Sequence, residues 1–105
     1  PSLTFSTTVS PIIQLGLKPV LVDVTLDSLL IDVKKIERMI TKKTKAMIIP
    51  NLIGNIPNLR FLKNLCKKYK LFFIEDSADT INSYYNDNDA KPLKFDGDLS
   101  KKLFY

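Results

Sequence analysis

No histidine occurs anywhere in the 105 residues, which removes a Ser-His-Asp triad and leaves zinc without its commonest nitrogen ligand. Cysteine is nearly absent as well. The single Cys66 cannot form an internal disulfide, and it falls on the apolar side of a predicted helix. With no histidine to activate it, a buried, inert thiol is the reading that fits. Glycine is scarce: Gly16, Gly54 and Gly97 stand too far apart to make a glycine-rich phosphate loop. No apolar run approaches the roughly 20 residues that cross a bilayer. Nor does any stretch combine a basic start, an apolar core and a small-residue cleavage site, as a signal peptide would. These absences lead us to expect a cytoplasmic protein that does not enter the membrane.

What is present is a soluble globular composition, 45% hydrophobic and 26% charged, at a length of about one small domain. The net charge of +5 raises the question of nucleic acid. Its distribution argues against that partner. Lysines gather at Lys34-Lys35, Lys42-Lys43-Lys45, Lys67-Lys68-Lys70 and Lys101-Lys102, most of them on polar faces or C-terminal ends of predicted helices, where cations favour the macrodipole. Arginine, the usual base reader, appears only as Arg38 and Arg60. A solvated, lysine-rich surface follows. Residue 1 is Pro, and the chain closes on the apolar Leu103-Phe104-Tyr105. We expect an internal segment of something longer.

Periodicity and punctuation divide the chain into alternating elements. Ser6 to Gly16 suits a helix, with Ser6 or Thr7 as its cap and Gly16 as its stop. Pro19 to Val24 reads as a strand closed by Asp23. Asp32 then caps a helix whose Val33, Ile36 and Ile40 fall at helical spacing. Lys45 to Pro50 is a second buried strand. A loop with Gly54 and Pro57 leads to a helix from Asn58 to Lys70, with Leu59, Leu62, Leu65, Cys66 and Tyr69 on one face. Beside Gly54, Asn55 fits a turn role better than a place at an active-site entrance. Phe72 to Glu75 is a third strand, and Asn86 to Asp89 marks a turn or hairpin loop. Strand, helix, strand, helix, strand implies an α/β fold with a mainly parallel sheet. Three strands with few helices make only part of such a sheet, so residues 1–105 are expected to belong to a single, incomplete domain.

The run Phe72-Phe73-Ile74-Glu75-Asp76-Ser77-Ala78-Asp79 is where chemistry concentrates. A short continuous apolar run is the pattern of a buried parallel strand. Ligands in open α/β sheets bind just beyond the carboxyl ends of such strands, where Asp76 sits. On its own, the segment is equally a strand-to-helix turn with an Asp as N-cap.

Several runs together resemble the DegT/StrS type of sugar aminotransferases: Pro1-Ser2-Leu3-Thr4-Phe5-Ser6-Thr7-Thr8-Val9-Ser10-Pro11-Ile12, Gly16-Leu17-Lys18-Pro19-Val20-Leu21-Val22-Asp23-Val24, Ile31-Asp32, Thr41-Lys42-Lys43-Thr44-Lys45-Ala46, Pro50-Asn51-Leu52-Ile53-Gly54-Asn55 and Glu75-Asp76-Ser77-Ala78-Asp79. Order and spacing hold from Pro1 to about Ser100. The resemblance implies the large domain of the fold-type I transferases, pyridoxal 5′-phosphate (PLP) as cofactor and nucleotide-linked keto-sugars as substrates. It also implies an amino donor such as glutamate and a homodimer in the intact protein. By that resemblance Asp76 faces the pyridine nitrogen of PLP, Phe5 stacks on its ring, and Asp79 takes the position that contacts its hydroxyl. Many aminotransferases of the family carry Gln or His at that third position. Asp79 is closer to a subgroup of PLP-dependent sugar 3-dehydratases, which replace the Schiff-base Lys by His. Asn82 stands where the family usually has Gly, and Leu103 where it places a Ser that binds the PLP phosphate. The Schiff-base Lys, or its His equivalent, is expected just past Tyr105, so no catalytic residue lies within the chain.

Three readings follow. The chain is a segment of a PLP-dependent sugar aminotransferase in polysaccharide or amino-sugar synthesis, with 3-dehydratase as the alternative chemistry; or it is a non-catalytic, truncated remnant; or it is a phospho-accepting or nucleotide-binding module. The last lacks a glycine-rich phosphate loop and a paired acidic cluster on an earlier strand. Whichever enzyme it derives from, the 105 residues alone are expected to be inactive.

Overall fold

Two five-residue segments, one apolar throughout and one apolar until its last two residues, become neighbouring strands, β1 (Ala46–Pro50) and β2 (Phe72–Asp76), which pair in parallel with Ala46 opposite Phe72 and Pro50 opposite Asp76. The structure is a computed structural model and describes residues 1–80. A parallel pair needs a crossover. Here it is a 3-10 turn at Leu52–Gly54 followed by a helix at Leu59–Tyr69. Asn58 caps that helix, its Oδ1 accepting from the Phe61 N–H at 3.0 Å. Leu59, Leu62, Leu65 and Cys66 form its buried face, and burial pushes the Cys66 thiol up from its ordinary pKa. Lys70 ends the helix in the left-handed conformation, and its neighbour's Leu71 N–H returns to Cys66 O at 2.9 Å.

Two helices precede the sheet, so in chain order they are α1 (Ser6–Gln14) and α2 (Val33–Met39), and the crossover helix is α3. The α2 cap is the expected Asp32, whose Oδ1 accepts from the Lys34 N–H at 3.0 Å. The start of α1 differs from expectation. Its N-cap is Phe5, with no side-chain cap bond, and Ser6 is already helical. The stop is as expected: Gly16 adopts φ +70°, with Gly16 N–H bonding Ile13 O and Leu17 N–H bonding Ile12 O. That pair of bonds is the Schellman arrangement, which satisfies two orphan carbonyls.

The expected strand from Pro19 to Val24 is not a sheet strand. It makes one isolated antiparallel bridge, Val24 to Ile31, and accepts two backbone bonds, Ser2 N–H to Val22 O at 2.7 Å and Asp32 N–H to Asp23 O at 2.9 Å. A ladder needs a partner backbone alongside, and the described residues provide none there. Apolar content still acts, since Val22 joins Ile31, Ile36, Ile49, Leu62 and Leu65 in the core. The sheet among the described residues therefore has two strands. The turn expected at Asn86 to Asp89, together with Asn82 and Leu103, lies outside the described residues.

Strand alternation gives the sheet two unlike faces. Met47, Ile49, Phe73 and Glu75 turn toward α3 and the core. Phe72, Ile74 and Asp76 turn the other way, where Phe72 is 74% and Ile74 38% exposed. Parallel sheets are ordinarily covered on both faces. The adjacent carboxylates Glu75 and Asp76 are thus sent to opposite sides.

Candidate functional site

Asp76 is the last residue of β2, on the open face and half-buried. Both of its carboxylate oxygens are engaged. Thr8 Oγ1–H donates to Oδ2 at 2.8 Å, and the Ala78 N–H donates to Oδ1 at 3.2 Å. Its carbonyl accepts from the Asn51 N–H at 2.9 Å, which continues the parallel ladder past β1. Thr8 belongs to the first turn of α1, and its own N–H bonds Phe5 O at 3.1 Å. Phe5 and Asp76 are distant in sequence, yet Thr8 links them directly. Phe5 is 55% exposed at this end. One residue earlier, Thr4 Oγ1 is buried with no hydrogen-bond partner among the described residues.

Asp79 follows at the same carboxyl end of the strands, but its Oδ2 accepts from the Ile53 N–H at 2.9 Å. Ile53 has φ +49° and precedes Gly54 at φ +81°. A β-branched residue in the left-handed region is strained by about 1–3 kcal/mol and persists only where its surroundings hold it. Asp79 supplies one such hold. Asn55 supplies another: its Nδ2 donates to Ser28 O at 3.0 Å, in keeping with the turn role read from its place beside Gly54.

Behind the site, Asn51 is 2% exposed and donates through Nδ2 to Glu75 Oε1 at 2.9 Å, with Ser77 Oγ and Thr80 Oγ1 each at 3.3 Å. Ser77 Oγ–H also reaches Glu75 Oε1 at 3.3 Å. This polar knot ties β1 to the turn that carries Asp76 and Asp79. Sequence reasoning assigned no role to Thr8, Asn51 or Thr80. For Thr8 one signal existed, since it lies three residues past Phe5 on one side of a helix start. Asn51 shows only in three dimensions. Among the described residues, no group of three or more His, Cys, Asp or Glu is placed to hold a metal ion, and no helix is long and apolar enough to cross a membrane.

A strand-end carboxylate on an open sheet face, tied to a helix start that carries an aromatic ring, is what a cofactor-binding α/β sheet offers. The profile of the DegT/DnrJ/EryC1/StrS aminotransferase family matches residues 1–100. The chain belongs to this family. Within it, the chain is 39% identical over 101 residues to the lipopolysaccharide biosynthesis protein RfbH of Salmonella typhimurium, covering 96% of this chain and 22% of the relative. It is 41% identical over 85 residues to a UDP-4-amino-4-deoxy-L-arabinose–oxoglutarate aminotransferase of Shewanella sediminis, covering 81% of this chain and 22% of the relative. Among solved structures, the E coli GDP-4-keto-6-deoxy-D-mannose-3-dehydratase with bound hydrated PLP matches at TM-score 0.75 and 29% identity. That match covers 83% of this chain and 22% of the other. The chain therefore spans about a fifth of the length of these relatives. Its α/β architecture is that of part of a PLP-dependent fold-type I transferase.

Proposed function

We propose that this chain is a segment of a PLP-dependent aminotransferase acting on nucleotide-linked keto-sugars, in cell-surface polysaccharide or amino-sugar biosynthesis. One observation carries the reading: Asp76 ends β2 on the open face with its carboxylate fixed beside the helix start that bears Phe5. These residues fit PLP by their chemistry. An acceptor-only carboxylate suits a protonated ring nitrogen, and an exposed aromatic ring suits a flat heterocycle. The family's DegT-type aminotransferases and sugar 3-dehydratases support the same cofactor.

When bound, PLP supplies the electron sink that aminotransfer and dehydration both require. The chain's residues would act around it. Asp76 would hold a proton on the ring nitrogen, Phe5 would cover a ring face and keep water from it, and Asp79 would stand on the cofactor side of the turn. The intact protein would pair as a homodimer in the cytoplasm, which sedimentation and cell fractionation would check.

A second reading, PLP-dependent sugar 3-dehydratase, is favoured by Asp79, a carboxylate where many family aminotransferases carry Gln or His. Its bond to the Ile53 N–H anchors it to the loop after β1. The test takes the intact protein carrying this chain, with PLP, a nucleotide-linked 4-keto-sugar and glutamate. An aminated sugar supports the first reading and loss of the 3-hydroxyl supports the second. A charge pair near a protein surface is worth on the order of 4 kcal/mol before desolvation. Asp76→Asn is therefore expected to lower kcat by about 100-fold or more. Failure of the intact protein to bind PLP would sink both readings.

A further inference from the structure

We infer that Thr8 is a positioning residue that fixes the Asp76 carboxylate toward the ring nitrogen of bound PLP, an inference that rests on the reading of Asp76 above. A hydroxyl residue inside a helix commonly bonds back to the carbonyl four residues earlier. Ser10 does this on the same helix, donating to Ser6 O at 2.8 Å. Thr8 instead donates across 68 residues of chain to Asp76 Oδ2 at 2.8 Å. The terminal torsion of an Asp is broad and roughly two-fold, so an unrestrained carboxylate would rotate. Two donors from different elements, Thr8 Oγ1–H on Oδ2 and the Ala78 N–H on Oδ1, define its plane. The first turn of α1 also begins at Phe5, so one turn sets both the ring-covering residue and the orientation of the acid.

The competing account is mechanical. No residue of α1 is buried, and on this account the bond serves only to fasten that helix to the sheet. The two accounts separate in an experiment on the intact protein loaded with PLP carrying ¹⁵N at the ring nitrogen, read by NMR beside the PLP dissociation constant and the melting temperature without PLP. Thr8→Ser keeps the donor and should match the wild type. Thr8→Val is expected to weaken PLP binding about tenfold, or ~1.4 kcal/mol. It should also move the ¹⁵N resonance part of the way to its position in Asp76→Asn, with little change in the PLP-free melting temperature. Should Thr8→Val not fold, Thr8→Ala is read the same way. A fastening role alone would lower the melting temperature and leave the resonance where it is, which overturns the inference. So does a Thr8→Ser variant that behaves as Thr8→Val. A wild type that binds no PLP removes the reading of Asp76 and this inference with it. A wild type that binds PLP and loses the signature in Asp76→Asn but not in Thr8→Val leaves Asp76 its role and takes it from Thr8.

Discussion

At Asn51 a buried amide donates to Glu75 Oε1 and lies within reach of Ser77 and Thr80, while its backbone N–H bonds Asp76 O. Removing a donor from a charged acceptor away from water costs more than the bond itself is worth. Asn51→Ala is therefore expected to destabilise the intact protein by about 2–3 kcal/mol. Ser77→Ala, which leaves the 2.9 Å amide bond in place, should cost well under half of that. Urea unfolding of both variants measures the difference, and equal losses would show that Asn51 is not the centre of the knot. The contrast between Glu75 and Asp76 is of the same kind. Adjacent in sequence and alike in charge, they occupy opposite faces of β2, and that decides which one bonds Asn51 and which one bonds Thr8 on the open face.

Between elements, the clearest device is the clasp of α2 to α3. Lys68 Nζ and the Tyr69 hydroxyl both donate to Glu37 Oε1, the lysine at 2.6 Å. The hydrogen bond from Lys68, reinforced by that from Tyr69 and by the lysine's charge, holds the Glu37 carboxyl below its ordinary pKa. The same bond raises Lys68. A carboxyl lowered by folding stabilises above its unfolded pKa and loses that contribution as pH falls through the folded value. The raised lysine contributes below its unfolded pKa and loses it as pH rises through the folded one. The clasp thus works across the neutral range and opens at both extremes. Glu37→Gln should lower the melting temperature at neutral pH, with the gap to wild type closing once the pH drops below the usual carboxylate range. A gap that persisted in acid would mean the charge is not responsible. Elements were legible in the sequence where side-chain period and burial agree. Leu59, Leu62, Leu65 and Cys66 announced α3, and Asp32 announced the cap of α2. Asp76 was legible because an apolar run ended on it. Pro19 to Val24 was misread because apolar content marks burial, which Val22 has, whereas strand assignment needs a neighbouring backbone that no local pattern encodes. Thr8 and Asn51 escaped for a related reason: their partners lie far along the chain.

For the molecule as a whole, the open face of the sheet and the exposed apolar side chains of Leu15, Leu26 and Phe72 mark surfaces that parallel α/β proteins ordinarily cover. The two-stranded sheet of the described residues also leaves edges that can template association. The 105-residue chain by itself is thus expected to bind a hydrophobic dye, to self-associate, and to show no transaminase or dehydratase turnover. A soluble monomer with one sharp, cooperative melt would contradict this, and so would measurable turnover. The strand β2 carries one more implication, and it concerns inheritance. Because side chains on a strand alternate, loss of a single codon within Phe72 to Ile74 would exchange the faces of the two carboxylates, putting Glu75 outward and Asp76 against the core. Nearly every substitution in that run spares the arrangement, while the smallest in-frame deletion inverts it. What descent must preserve in β2 is therefore a count of residues before it is a choice of them.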